Sequence, residues 1–381
     1  IRRQRQMCIR DRLTMDTPAA LLDSVKMQRN IQRMQQRADS LGVHLRPHVK
    51  THKCAEVVAA QIAAGARGIT VSTLKEAEYF FELGIQDILY AVAMAPHKLP
   101  QALALRRRGC ALTLITDSLA GARAIVDFGA AQGETFAVMI EIDCDGHRSG
   151  VKPQDALLLD IAQLLGDSLV GVLTHAGESY GLDTPEALQA IAEQERARCV
   201  EAAQRIRAAG MACDQVSVGS TPTALSAVSL EGVTELRAGV YAFFDLVMHN
   251  IGVCRTEELA LSVLTTVIGH QAEKGWIITD AGWMAMSRDR GTQAQKRDFG
   301  YGQVCNEHGE LIDGLLLSSA NQEHGVARFE AGGVDVVTQF PLGTRLRILP
   351  NHACATGAQF GNYNAVLHNG EVQRWERLRG W

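Results

Sequence analysis

Arg46-Pro47-His48-Val49-Lys50-Thr51-His52-Lys53 is the stretch on which the reading of this chain turns, because an alternation of basic and apolar residues ends there in an amine. If Leu45 to Val49 runs as a strand, its period of two sets Arg46, His48 and Lys50 on one face and Leu45, Pro47 and Val49 on the other. Three basic groups on one strand face need an anion, since an unpaired charge inside a protein is costly. Two readings of these residues stand side by side: a solvated basic edge, or the seat of an anionic ligand. Pyridoxal phosphate (PLP) would bring a phosphate, a phenolate and an aldehyde able to condense with the Lys50 amine.

Outward from this segment, short apolar runs alternate with longer amphipathic stretches from Leu22 to about Asn250. Strands are expected at Val43 to His48, Gly68 to Ser72, Asp87 to Ala91, Ala111 to Thr116, Phe136 to Ile142, Val170 to Thr174, Gln215 to Val218 and Glu235 to Ala238. Helical stretches lie between them, such as Ser24 to Leu41 and Pro185 to Ala209. Eight strand-and-helix units predict an α/β fold, a (β/α)8 TIM-type barrel over 22–250, with functional groups at the C-terminal strand ends. After Asn250 apolar segments punctuated by Gly, Asp and Asn predict a second, mainly β C-terminal domain over 251–381, joined by 13–21, whose run Ala19 to Leu22 is free to pair with it.

The polar candidates fall on one rim of that barrel. Lys50 follows strand one, His147-Arg148 strand five, Thr174-His175-Ala176-Gly177 strand six, Gly219-Ser220-Thr221 strand seven and Gly239-Val240-Tyr241 strand eight. In Val216-Ser-Val-Gly219-Ser220-Thr221-Pro222-Thr223, Gly219 permits close backbone approach, Thr221 suits a helix cap and Pro222 a first helical position. Such a turn holds a phosphate on exposed amides, or is simply a capped helix start. Its place after strand seven favours phosphate, and Tyr241 offers a hydroxyl from the next strand end or a core ring. Near the C-terminus, His352 and Cys354 in Pro350-Asn-His352-Ala-Cys354-Ala-Thr356 suit zinc or a similar divalent ion, although buried His and Cys at a strand end would look the same.

Composition narrows the function classes. The 381 residues are 46% hydrophobic and 21% charged, an ordinary globular balance. Residues 1–12 carry five Arg and one Asp without an apolar run, so they lack the hydrophobic region of a secretion signal and read as a non-native extension, with a genuine basic arm as the alternative. Without their net +4 the formal charge of −4 becomes −8, which argues against nucleic acid or an anionic membrane as partner. Nine cysteines without CxxC pairs, and no apolar run of spanning length, point to a reducing cytoplasm.

The Lys50 segment, the Gly219-Ser220-Thr221 turn and the His352-Ala-Cys354 loop together resemble the D-threonine aldolase and D-serine dehydratase family, whose barrel is shared with alanine racemase. The resemblance spans Thr17 to Trp381. It implies PLP on Lys50, Arg148 beside the cofactor ring, contact from His175 and a nearby Tyr180 hydroxyl, phosphate contacts from Gly219, Ser220, Thr221, Gly239 and Tyr241, and a divalent metal (zinc, manganese, cobalt or magnesium) on His352 and Cys354. The implied activity is loss of water from a D-3-hydroxy amino acid, D-threo-3-hydroxyaspartate giving oxaloacetate or D-serine giving pyruvate, with ammonia, in a homodimer. D-threonine aldolase chemistry is the rival within the family, which as a rule has a carboxylate in place of Cys354. A non-catalytic PLP carrier is the rival outside enzymes, but it is a lone barrel.

Overall fold

The computed structural model describes residues 15–381; the stretch 1–12 discussed above lies outside the described residues. The chain divides into two compact units, one of Ile31–Gly239 with Gly380–Trp381, the other of residues up to Asn30 with Val240–Arg379. No helix among the described residues is long and apolar enough to cross a membrane.

Strand β1 (Ala19–Asp23) belongs to the second of these units, and eight strands of the first follow it: β2 (His44–Pro47), β3 (Ile69–Val71), β4 (Asp87–Ala93), β5 (Ala111–Thr116), β6 (Ala137–Ile142), β7 (Leu169–Thr174), β8 (Gln215–Val218) and β9 (Glu235–Ala238). Neighbours pair in parallel in chain order from β3 to β9, and β2 pairs with β9. A parallel bridge from His48 to Thr70 joins β2 to β3 and closes the (β/α)8 barrel.

Inside the barrel the filling is asymmetric. Leu89, Ile115, Met139 and Leu173 form an apolar cluster from β4 to β7. Across β8, β9 and β2 the filling is polar: Ser217 Oγ donates to Glu235 Oε1 at 2.6 Å, and Arg237 donates to Ser217 Oγ at 2.6 Å and to the Thr174 carbonyl at 2.5 Å. Arg46 donates through Nε to Glu235 Oε2 at 2.5 Å and through both terminal nitrogens to the Asp87 carboxylate at 2.8 and 2.9 Å.

This corrects the expectation of one basic strand face. Strand β2 stops at Pro47, and a 3-10 turn over Val49–Thr51 carries Lys50 away from the strand's alternation. The Arg46 charge, although burial works against it, is held up by Glu235 and Asp87 and needs no ligand.

The helix Pro185–Ala208 shows how the outer layer is specified. Thr184 caps it by accepting from Ala187 N, Pro185 sits in the first turn, and Arg205 and Arg207 in the last turn complement the helix dipole. Leu188, Ala192, Glu195, Cys199, Ala202 and Ile206 make its buried stripe at helical spacing.

In the second unit, β10 (Leu261–Gln271), β11 (Trp276–Thr279), β12 (Gln303–Asn306), β13 (Leu311–Ala320), β14 (Gly325–Phe329), β15 (Arg345–Leu349), β16 (Asn362–Val366) and β17 (Val372–Glu376) join β1 in a nine-stranded sheet of order β11-β14-β13-β12-β15-β10-β1-β16-β17. Strand β1 runs antiparallel to β10 and parallel to β16. Val263, Ile277, Val304, Leu317 and Ile348 lie at the centre of this unit's core.

Removing Arg46 would leave Glu235 buried without its counter-charge, which typically costs about 3–5 kcal/mol. Arg46→Ala should therefore lower unfolding stability by that order in urea titration, and Arg46→Lys, which keeps the charge, should lose less. A loss below about 1 kcal/mol in the alanine variant would refute a structural role for the pair.

Candidate functional site

At the C-terminal rim of the barrel the turn after β2 places Lys50 with its side chain exposed, while Val49, Thr51, His52 and Lys53 are buried. The turn is held by a cap, His48 Nδ1 accepting from Lys50 N at 3.4 Å, and by Lys53 N donating to the Val49 carbonyl at 2.8 Å. Lys53 adopts φ 47°, a left-handed conformation unusual for a side-chain-bearing residue. Its ammonium pairs at 3.0 Å with the fully buried Glu76, which Thr73 Oγ1 and Ser72 N also bond. Of the two lysines in the segment, Lys53 is thus committed to Glu76.

Two imidazoles flank Lys50, and both are neutral. Burial, reinforced by Lys50 and Arg237, holds His48 well below the usual histidine range. Burial lowers His175 to about 4, against the opposing bond to Gly219 and with help from Lys50, Arg237 and Arg148. His175 Nδ1 lies 2.9 Å from the Gly219 carbonyl, so this nitrogen carries the proton and Nε2 keeps its lone pair. The Tyr180 ring stands 6.1 Å from the His175 ring. Arg148 is exposed and reaches the buried Glu141 at 3.4 Å, which also accepts from Ser149 Oγ at 3.0 Å. His147 is paired with Glu178 at 3.0 Å.

The turn after β8 differs in detail from the expectation. Ser220, not Thr221, caps the following helix, by exchanging bonds with Thr223 in a capping box. The amides of Gly219 and Ser220 are already engaged, by Glu195 and by Thr223 Oγ1. The donor left over is the Thr221 hydroxyl, fully buried and without a hydrogen-bond partner. An orphaned hydroxyl at the mouth of a capped turn fits a phosphate oxygen. Gly219 has φ 139°, and a Cβ there would collide with the Arg237 carbonyl, so the fold itself demands this glycine. Gly239 lies against His48, the carbonyl of which would be 2.9 Å from an added Cβ. Tyr241, for which the sequence left a hydroxyl contact or a core ring open, is fully buried and belongs to the other unit.

That other unit carries the His352 loop. Asp245 accepts from Met248 N at 3.0 Å and Ala353 N at 2.9 Å, and Thr356 Oγ1 donates to the Met286 carbonyl at 2.7 Å, which fixes the loop at both ends. His352 Nδ1 is 2.6 Å from Asp289 Oδ2. Burial would lower this imidazole, but Cys354 together with Asp289 and Asp245 raises it to about 11. A carboxylate on one ring nitrogen orients the other toward a metal, and the adjacent thiol supplies a second donor. Among the described residues no group of three or more His, Cys, Asp or Glu is arranged around an ion. His352 and Cys354 offer one nitrogen and one sulfur donor, types that suit zinc or a similar divalent ion. His324 sits exposed in the turn between β13 and β14.

Sequence reasoning missed Arg237, Glu195 and Asp289. Arg237 had a signal, since Glu235-Leu-Arg237 puts opposite charges on the inner face of a buried strand. Glu195 had one as well, an acidic residue on the apolar stripe of its helix. Asp289 had none.

The model for the alanine racemase N-terminal domain matches residues 22–247, and that for a putative serine dehydratase domain matches 260–366. The chain belongs to this alanine racemase-like family. It is 68% identical to D-threo-3-hydroxyaspartate dehydratase of Delftia sp. (strain HT23), over 97% of this chain and 99% of that protein. It is 32% identical to D-threonine aldolase of Arthrobacter sp., over 90% of this chain and 86% of the relative. A solved structure of D-threo-3-hydroxyaspartate dehydratase, a cysteine-to-alanine mutant in the metal-free form, superposes with TM-score 0.96 at 68% identity, covering 97% of this chain and 99% of that one.

Because His175 titrates near 4 in the fold and near 6.5 when unfolded, the unfolded chain binds the extra proton between those values, and stability falls as pH drops through that window. From pH 7 to 5 this amounts to about 2 kcal/mol. Unfolding free energies of ligand-free protein at the two pH values should differ by that much less in His175→Asn. An unchanged difference would show that the histidine is not held neutral.

Proposed function

We propose that the chain is a PLP- and divalent-metal-dependent lyase that removes water from a D-3-hydroxy amino acid, D-threo-3-hydroxyaspartate foremost, with oxaloacetate and ammonia as products. The observation that carries this reading is the near full-length 68% identity to an enzyme of that name, in a chain that bears both an exposed lysine at a barrel strand end and the His352-Cys354 pair. When bound, PLP supplies a sink for the electron pair left at the α-carbon, and the metal a Lewis acid for the departing β-hydroxyl.

The residues divide that work. Lys50 Nζ would hold the cofactor, and the same amine would take the α-proton of the substrate. His175, its Nδ1 bound to Gly219, would contact the cofactor ring without adding charge, and Arg148 would lie beside that ring. The Thr221 hydroxyl would meet the phosphate, with Gly219 and Ser220 shaping the turn that presents it and Gly239 and Tyr180 nearby. His352 Nε2 and Cys354 Sγ hold the metal, with Asp289 orienting the imidazole. A homodimer in the cytoplasm is the assembly and compartment we assign, with neither nucleic acid nor membrane as partner.

Borohydride reduction followed by mass spectrometry of a digest should place a pyridoxyl group on Lys50, and Lys50→Ala should lower turnover at least about a hundredfold. An adduct on Lys53 would overturn the assignment.

A keto-acid and ammonia assay on D-serine, D-threonine and both hydroxyaspartate enantiomers should show turnover of the D-threo compound. Chelation should abolish it while the protein stays yellow. Cleavage of D-threonine to glycine and acetaldehyde as the main reaction would instead make the chain an aldolase, and no turnover with tight PLP retention would make it a carrier.

A further inference from the structure

The helix Pro185–Ala208 packs on the barrel through an apolar stripe interrupted at Glu195, a residue only 2% exposed. A leucine would fill that position in keeping with its neighbours, and a lone carboxyl between helix and sheet is costly. The Glu195 side chain is not idle. Its Oε1 accepts from the amide of Ala176 at 2.8 Å and from the amide of Gly219 at 3.1 Å, and the Thr223 hydroxyl bonds the same carboxyl.

Those two amides belong to different loops. Ala176 follows His175 at the end of β7, and Gly219 opens the turn after β8 that presents the orphaned Thr221 hydroxyl. The loops are cross-linked twice more, by His175 Nδ1 to the Gly219 carbonyl at 2.9 Å and by Ser179 Oγ to Ser220 Oγ at 2.9 Å. Gly219 is thus gripped on its N–H by Glu195 and on its carbonyl by His175, while its α-carbon abuts the Arg237 backbone. Release of the Glu195 grip would detach both loops from the helix and leave them joined only to each other, because among the described residues no other side chain is bonded to both of those amides.

We propose that Glu195 is a positioning residue of the cofactor site, a clamp from behind the sheet that keeps the His175 and Gly219-Ser220-Thr221 loops in register so that the Thr221 hydroxyl meets the phosphate of PLP. This rests on the PLP reading above. The clamp acts by accepting two hydrogen bonds, and a neutral amide oxygen can do the same. Burial raises this carboxyl to about 7, despite the bonds from Thr223 and Ala176, so the position tolerates a neutral side chain near neutral pH.

Glu195→Gln and Glu195→Leu separate the clamp from simple packing. Leucine suits the apolar stripe and removes the acceptor, whereas glutamine keeps it. In equilibrium titration of cofactor-free protein with PLP, followed by absorbance, Glu195→Leu should bind at least tenfold more weakly than native protein and Glu195→Gln within threefold of it. The thermal midpoints of both cofactor-free variants, measured alongside, tell affinity from folding. Folded Glu195→Leu that binds PLP as native protein does overturns the clamp, and so does equal weakening in both variants. Native protein that takes up no PLP overturns the cofactor reading and the clamp with it. Should Glu195→Leu fail to accumulate, amide hydrogen exchange of native cofactor-free protein decides: protection at both Ala176 and Gly219 upholds the clamp, and exchange at the rate of open loop amides overturns it.

Discussion

The ion pair between Arg46 on β2 and Glu235 on β9 ties together the first and last strands of the barrel, and the rest of the site is built outward from it. A barrel must join strands that are nearly two hundred residues apart in sequence, and here the join is made by charge where β4 to β7 use apolar packing. The choice has a price in desolvation that only complete pairing offsets. Completeness is what the structure shows: Glu235 also accepts from Ser217, Ser217 from Arg237, and Arg237 donates onward to the Thr174 carbonyl. The network ends directly beneath the residues that flank Lys50.

From that floor the rim residues are reached by short, overdetermined turns. Lys50 rides on a turn held by the His48 cap and by the Lys53–Glu76 pair, and His175 is fixed through Gly219. Two imidazoles are kept uncharged close to a lysine and two arginines, so positive charge is concentrated in few groups, which is the electrostatic setting an anionic cofactor requires. In the other unit, the pairing of His352 with Asp289 shows the opposite tuning, an imidazole held up by its carboxylate and thiol neighbours.

Much of the architecture was legible because strand-forming runs between amphipathic stretches leave few alternatives. Ala111–Thr116, Gln215–Val218 and Glu235–Ala238 occur as read. The alternation through Arg46, His48 and Lys50 misled because periodicity describes a strand only while it lasts, and this one yields to a turn at Val49. The cap after β8 was shifted by one residue, since Ser and Thr are equally able caps and only the reciprocal bond with Thr223 selects Ser220. Glu195 was passed over among the charged residues of its helix; its position on the buried stripe is visible once the helix is phased. The partner of His352 lies 63 residues away in an irregular segment, and no local pattern announces it.

The placement of β1 has a consequence for synthesis. Ala20 pairs with Val263 and Leu22 with Ala365, so this strand leaves the ribosome long before either neighbour exists. At roughly 5–20 residues per second the first partner arrives about 12–50 seconds later. During that interval the barrel strands can assemble in order, each beside the one before, while an apolar run with two open edges waits. Strands in that condition are prone to pair with other chains, so the window before the first pairing is when the nascent protein most needs protection.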